Sequence, residues 1–167
     1  MSEKENIYSS KIKHSGIFDF SEFYNFCYDW MRDEGQMFIV EELYSEKLSG
    51  EAKNIDVEWD CTRKVTDYFK FQIKVKFKVL GLQKVEITKG NAKIKTNKGQ
   101  VEVKANAILV MDYQGKFEKN AFQKFLRAIY EKWIIASRIE QFEDKLTGDA
   151  DEFLNQAKAY LDLEGKK

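Results

Sequence analysis

The feature of this chain that most constrains its fold is an eleven-residue repeat close to the C-terminus. Eight of the nine repeated positions are apolar; they are Ile135, Ile139, Phe142, Leu146, Ala150, Phe153, Ala157, Leu161 and, as the polar exception, Glu164. Because eleven residues make about three helical turns, these side chains form one stripe along a nearly straight helix. The repeat therefore predicts a long C-terminal helix with one continuous apolar face, here called the downstream stripe.

A second apolar stripe precedes it in the same predicted helix, which begins at residue 120. This upstream stripe consists of Phe122, Phe125, Leu126, Ile129, Trp133 and Ala136. At roughly 100° per residue, the two stripes are rotated by about a third of a turn, so they need different surfaces to pack against. We expect the upstream stripe, with Trp133, to meet the domain's own sheet, and the downstream stripe to be covered by a second molecule or by a chain that folds back near Gly148.

Gly148 decides between those two arrangements. Asp149 and Glu152 would cap a new helix if the chain broke there. Gly148 itself falls on the side opposite to the downstream stripe, where a glycine costs a helix only about 1 kcal/mol. We therefore expect a continuous or gently bent helix.

Before residue 114 the apolar residues recur with a period of two, which predicts strands. The clearest is Tyr68–Val79, with Phe69, Phe71 and Phe77 on one face and lysines on the other. The other predicted strands are Met37–Lys47, Asn54–Lys64, Lys84–Thr88, Ala92–Thr96 and Gln100–Tyr113, with turns at residues 89–91 and 97–99. A helix with Ser21 as its N-cap and Gly35 at its end precedes them.

These elements predict an α+β fold, in which a twisted antiparallel meander of five or six strands packs on an N-terminal helix and a long C-terminal helix. We divide the chain into a flexible or short-strand segment at residues 1–18, a globular core at 19–134, and a helical extension at 135–163 that continues the helix begun at 120. Trp30 and Trp59 are expected in the core.

No recognisable catalytic, cofactor-binding or metal-binding motif occurs in the sequence, so we expect a protein that is not an enzyme and carries no cofactor. Cys27 and Cys61 lack a CxxC partner, and His14 is the only histidine. The nine glycines form neither common nucleotide-binding fingerprint. The polar N-terminus and the absence of a long apolar run predict a cytoplasmic protein without membrane insertion.

Charge is uneven along a chain whose net charge is zero. Residues 1–59 carry 6 basic and 13 acidic side chains, whereas residues 60–104 carry 12 and 4. The basic region predicts an anion-binding surface formed by Lys70, Lys74, Lys76, Lys78, Lys93 and Lys95, for which RNA is a candidate partner. Against this, a hairpin near Thr66 would place an acidic row opposite part of the basic row, and no aromatic ring shares the lysine face.

The segments RKVTDYFKF (Arg63–Phe71) and FLRAIYEKW (Phe125–Trp133) resemble small uncharacterised archaeal proteins with a helix, an antiparallel meander and a long C-terminal helix. The resemblance covers most of residues 19–163 and implies no activity. The order of elements is also similar to the helix-grip architecture of START-type ligand-binding proteins, which is an analogy of fold alone. The chain departs from that architecture in having one N-terminal helix and a longer C-terminal helix.

Three functions remain open from the sequence. The first is a non-enzymatic binding or assembly module that contacts itself or another protein through Ile135, Ile139, Phe142, Leu146, Phe153 and Leu161. The second is a carrier of a small apolar ligand in an aromatic-lined cup. The third is an RNA or ribonucleoprotein binder that uses the lysine-rich face.

Overall fold

The computed structural model describes residues 3–114, 120–134 and 136–165. Its strands are β1 (Glu3–Ile17), β2 (Phe38–Ser49), β3 (Ala52–Lys64), β4 (Phe69–Lys89) and β5 (Ala92–Met111), and its helices are α1 (Phe20–Asp33), α2 (Ala121–Ile129) and α3 (Ala136–Gly165), with a π-helical turn at Tyr130–Ile134. The five strands form one antiparallel sheet in the order β1-β5-β4-β3-β2. The predicted α+β class is confirmed, and β1 and β2 are the two edge strands.

The core lies on one face of the sheet, where α1 and α3 pack. Alternate residues of β3 and β4 point into it, including Val57, Trp59, Phe71 and Phe77, because successive side chains of a strand point to opposite faces. The alternation predicted for these two strands is therefore confirmed, as is the core position of Trp59. Trp30 is half-buried, with its ring centroid 5.7 Å from that of Phe153.

We call the opposite side of the sheet the open face. It carries a row of acidic residues on β3 beside a row of lysines on β4, with Asp56 opposite Lys78 and Glu58 opposite Lys76. The structure thus places an acidic row opposite the basic row, but the register differs by two residues from the prediction for a turn near Thr66, which set Asp56 opposite Lys76 and Glu58 opposite Lys74. The turn at Val65–Tyr68, where the Val65 N–H donates to the carbonyl of Phe69, sets the register of this hairpin.

β4 and β5 are longer than the sequence pattern predicted. They form one ribbon that turns only at residues 90–91, so the predicted hairpin turn at residues 97–99 is wrong. Opposite Gly99, where a turn was predicted, the neighbouring strand β4 has a bulge that contains Gly81, at a φ of +65°. A Cβ at Gly99 would lie 3.0 Å from the Leu82 Cα, so glycine is needed there for close approach of two backbones and not for a turn.

α1 begins two residues earlier than predicted, because the N-cap is Asp19 and not Ser21. The Asp19 Oδ1 accepts from the Glu22 N–H at 3.0 Å, which satisfies one of the unpaired donors of the first turn. The helix then buries Phe20, Phe23, Cys27 and Met31 against the sheet and α3.

The C-terminal helix is continuous through Gly148, as predicted, but its two stripes are used the other way round. Leu146, Ala150, Phe153, Ala157 and Leu161 are fully buried and belong to the same core as the sheet. In the upstream stripe, by contrast, Phe122 and Phe125 are 67% and 60% exposed. The side chain of Trp133 lies outside the described part of the chain.

Candidate functional site

The residues predicted to contact a partner are core residues of this domain. Leu146, Phe153 and Leu161 are inaccessible to solvent, and Ile139 and Phe142 are half-buried against the same core. Ile135 lies outside the described residues. The prediction that the domain's own sheet leaves this stripe uncovered is therefore wrong, because helical periodicity reveals two apolar faces without indicating which one meets the sheet.

The predicted lysine surface is divided between two faces. Lys74, Lys76 and Lys78, with Lys70 further along β4, lie on the open face. Lys93 and Lys95 lie on the other face of the ribbon, because β5 runs without a bulge from Lys93 to the buried Val101 and every second residue points the same way. Grouping all six lysines in one surface is wrong, since the bulge at Gly81 inverts the alternation of β4.

The open face still brings three lysines around one concavity. Lys74, Lys76 and Lys104 line it together with Asn106 and two carboxylates, Glu42 and Glu58, and its volume is about 290 Å³. Lys76 Nζ lies 3.2 Å from Glu58 Oε1. Within the described ranges, neither Lys74 nor Lys104 lies within 4.0 Å of a carboxylate oxygen, and the three lysines exceed the two carboxylates of this lining by one positive charge.

Both cysteines of the chain are buried, and the single histidine is half-buried. Burial raises the pKa of the Cys61 thiol to about 12 and that of Cys27 well above its ordinary value. His14 packs its ring edge-on to Phe18 between β1 and the end of α3. These environments favour neutral, unreactive forms.

The edge strand β2 carries the largest group of exposed apolar side chains on any strand that the structure describes. They are Phe38, Val40, Leu43, Tyr44 and Leu48, of which Phe38 and Leu48 are 71% and 76% exposed. One side of β2 pairs with β3, and the other side is the edge of the sheet. An edge strand presents main-chain donors and acceptors that can pair with another strand.

A β-bulge arranges the side chains of β2. The register shifts between Glu41, which pairs with Trp59, and Leu43, which pairs with Glu58. Because of this extra residue, Glu41 and Tyr44 both lie on the same face as the core, although they are three positions apart in the sequence. Val40 and Leu43 are left together on the open face.

On the helix side of β2, two carboxylates flank Tyr44. Glu41 Oε1 accepts from the Tyr24 hydroxyl at 2.5 Å and from Trp59 Nε1 at 3.4 Å. Glu46 Oε1 accepts from the Tyr44 hydroxyl at 2.8 Å. Burial, together with the hydrogen bond to a carboxylate, raises the pKa of both Tyr24 and Tyr44 to about 12, so both hydroxyls remain donors at neutral pH.

Aromatic rings hold this group in place. The Trp59 ring centroid lies 5.3 Å from that of Tyr24 and 5.8 Å from that of Tyr28, and both contacts are edge-to-face. Tyr24 also meets Tyr44 edge-to-face at 6.4 Å. We call Glu41, Tyr44 and Glu46, with Tyr24 and Trp59 behind them, the edge cluster.

Sequence reasoning missed the edge cluster. Its position at the edge depends on strand order, which local periodicity does not report. One signal was present, because the apolar residues Val40 and Leu43 are three apart in a strand that otherwise alternates. That spacing is typical of a bulge, and bulges are common at sheet edges.

No protein-family model matches this chain, and neither does any curated protein or any solved structure. Among the described residues, no three or more His, Cys, Asp or Glu side chains come together as a metal site. In the same part of the chain, no helix has the length and apolar character needed to cross a membrane. The function must therefore be argued from the surfaces themselves.

Proposed function

We propose that this protein is a non-enzymatic binding module that recruits an extended segment of another protein as a sixth strand beside β2. The observation that carries the proposal is the row of exposed apolar side chains on the edge strand. In this mode of recognition, main-chain hydrogen bonds supply affinity, and alternate side chains of the added strand supply specificity.

The exposure of β2 supports this function because proteins normally protect a long edge strand. Lysine, proline, short length and inward-pointing charges are the usual devices. β2 has a bulge and two carboxylates, Glu41 and Glu46, on its inward face. It nevertheless has 12 residues, contains one lysine and no proline, and exposes Val40 and Leu43 on the open face. Covering these side chains with a partner strand would remove apolar surface from water.

Charge favours a basic partner over a second copy of the chain. β2 contains Glu41, Glu42 and Glu46 against Lys47, which is a net charge of −2. Two-fold pairing of β2 centred between Leu43 and Tyr44 would bring Glu41 close to Glu46 of the second copy. Like charges directly opposite each other are destabilising, so the preferred partner alternates apolar and basic residues.

The test uses two capped ten-residue peptides, one alternating valine with arginine and the other alternating valine with glutamate. We expect the arginine peptide to bind and the glutamate peptide to bind far more weakly, as measured by isothermal titration calorimetry. Hydrogen exchange should show new protection at the amides of β2 and no change in β1.

Main-chain pairing is tested by N-methylation of the arginine peptide, at either its odd or its even residues. In an added strand, only every second amide faces the neighbouring strand. One methylated peptide should therefore lose binding and the other should keep it. Equal binding by both, or protection that appears away from β2, would exclude strand addition.

A second candidate function is supported by the concavity on the open face, where Lys74 and Lys104 lack a carboxylate partner among the described residues. An anionic backbone such as that of RNA would be attracted there.

Replacement of Lys74 and Lys104 by Glu should abolish salt-dependent binding of a single-stranded RNA. Lys93→Glu with Lys95→Glu is the matched control, since it makes the same charge change on the opposite face of the ribbon. Equal loss in both variants would show only a response to net charge.

A further inference from the structure

We infer that the edge cluster binds a cationic side chain, with arginine as the best fit, in the space over Tyr44 between Glu41 and Glu46. This inference rests on the proposed function, and it adds which face of the incoming strand is basic. The arginines would lie on the helix side of β2, and the apolar residues would lie beside Val40 and Leu43 on the open face.

The exposed ring of Tyr44 offers a surface to a cation. Tyr44 is 46% exposed although it lies on the face that is buried elsewhere in the sheet. A guanidinium group over an aromatic face is attracted by the quadrupole of the ring, and its planar shape also allows stacking. The side chain opposite Tyr44 on an added strand would lie about 5 Å away, which is within reach of this ring.

Hydrogen bonds fix the orientation of the two carboxylates. Glu41 is held through Oε1 by Tyr24 and Trp59, and no hydrogen bond or ion pair at its Oε2 is found among the described residues. Glu46 is held through Oε1 by Tyr44, and its Oε2 lies 3.6 Å from Lys53 Nζ. Since one oxygen of Glu41 is fixed by two donors, the other is positioned in advance, which lowers the entropy cost of binding a cation.

The bulge in β2 places Glu41 and Tyr44 on one face of the sheet. With a regular strand, Glu41 and Tyr44 would lie on opposite faces of the sheet and could not act on one ligand group. The extra residue between Glu41 and Leu43 brings them together. Bulges commonly redirect a side chain at a functional position.

The experiment compares the valine–arginine peptide with a valine–threonine peptide of the same length. Tyr44→Leu should weaken binding of the arginine peptide by about threefold to thirtyfold, the range of a cation–π contact. It should leave binding of the threonine peptide unchanged. Tyr44→Phe keeps the ring and should restore most of the loss, and Glu86→Gln, on the distant β4–β5 ribbon, is the carboxylate control. Equal weakening of both peptides by Tyr44→Leu would overturn the inference.

A separate measurement tests the site without an added strand. N-acetylarginine amide should shift the Trp59 indole N–H signal in NMR spectra in a saturable way, and Glu41→Gln should abolish the shift. If both peptides fail to bind but this shift is seen, strand addition is wrong and the cation site stands. If N-acetylarginine amide causes no shift and the arginine peptide binds no better than the threonine peptide, the cation site is wrong.

Discussion

The two edge strands of this sheet differ in how well they are protected: β1 is covered by α3, whereas β2 is not. Every exposed side chain of β1 is polar, and α3 is attached to it by hydrogen bonds from the Tyr8 hydroxyl to Asp151 and from Lys158 Nζ to the Lys13 carbonyl. β2 has no comparable cover from α3, and its exposed residues include Phe38 and Leu48. Since both strands have the same architectural position, the difference identifies β2 as the edge available to a partner.

The largest expected effect comes from removing a fully buried ring of α3 from the core. Phe153→Ala should lower the free energy of unfolding by about 3–5 kcal/mol, because a fully buried ring would leave a cavity. Phe122→Ala, on the exposed stripe of α2, should change it by less than about 0.5 kcal/mol. Urea denaturation measures both. Similar losses in the two variants would mean that the stripes are not used differently.

The same pair of stripes shows what could be predicted from the sequence and what could not. The period of the apolar residues correctly predicted a continuous helix through Gly148 and the inward faces of β3 and β4. It could not show which stripe meets the sheet, because that depends on how the sheet and helix are oriented. We therefore assigned Leu146 and Phe153 to a partner surface, although they are core residues.

The candidate site was harder to predict for a related reason. The sequence interpretation missed the inserted residue at Gly81, so it put Lys93 and Lys95 on the same face as the β4 lysines. It also missed the inserted residue at Glu42, so it did not show that Glu41 and Tyr44 share a face. Each bulge shifts the period-two pattern by one residue and so reverses every assignment beyond it. Strand order, which makes β2 an edge, arises from pairings between distant segments.

The second prediction converts β2 into an edge of the β1 type. Val40→Lys with Leu43→Lys should weaken binding of the valine–arginine peptide at least about tenfold, because apolar contact is lost and like charges meet. Stability should change by less than about 0.5 kcal/mol, since both side chains are partly exposed. The control, Ser9→Lys with Ser15→Lys, adds the same charge to the open face of β1. Equal weakening by the control would remove β2 as the binding edge.

A smaller effect, of opposite sign, is expected within α3 itself. Gly148 is exposed, and a Cβ built on it meets no atom within 4 Å. Gly148→Ala should therefore raise the free energy of unfolding by about 0.5–1 kcal/mol through helix propensity. Gly165→Ala, at the C-terminal residue of the same helix, should give no such gain, because alanine gains little at a helix end and its Cβ would lie 3.1 Å from His14 Cε1. An equal gain at Gly165 would mean that the contact between α3 and His14 is absent in solution.

The smallest expected effect is a pH dependence at the same contact. Burial lowers the pKa of His14 below its ordinary value of 6.5, and Lys158 lowers it further, while Asp162 and a backbone hydrogen bond to Ile17 act in the opposite direction. Its Nε2 is buried and has no hydrogen-bond partner in the part of the chain that the structure describes.

The sign of this effect follows from which state binds the proton more tightly. The unfolded chain takes up a proton at His14 near pH 6.5, whereas the folded protein does so only at lower pH. The stabilisation that neutral His14 gives is therefore complete above pH 6.5 and is lost as the pH falls toward the lower pKa of the folded protein. Burial raises the pKa of Glu131 and Glu143, and these groups act with the opposite sign.

The informative quantity is therefore the difference in the free energy of unfolding between the wild type and His14→Leu, measured by urea denaturation at pH 7.5, 6.5 and 5.5. We expect the wild type to lose stability relative to the variant as the pH falls, and hydrogen exchange to increase in β1 before it increases in β2. A difference that is constant across this range would mean that His14 is as accessible to protons in the folded protein as in the unfolded chain, and that α3 does not seal this end of the β1 edge.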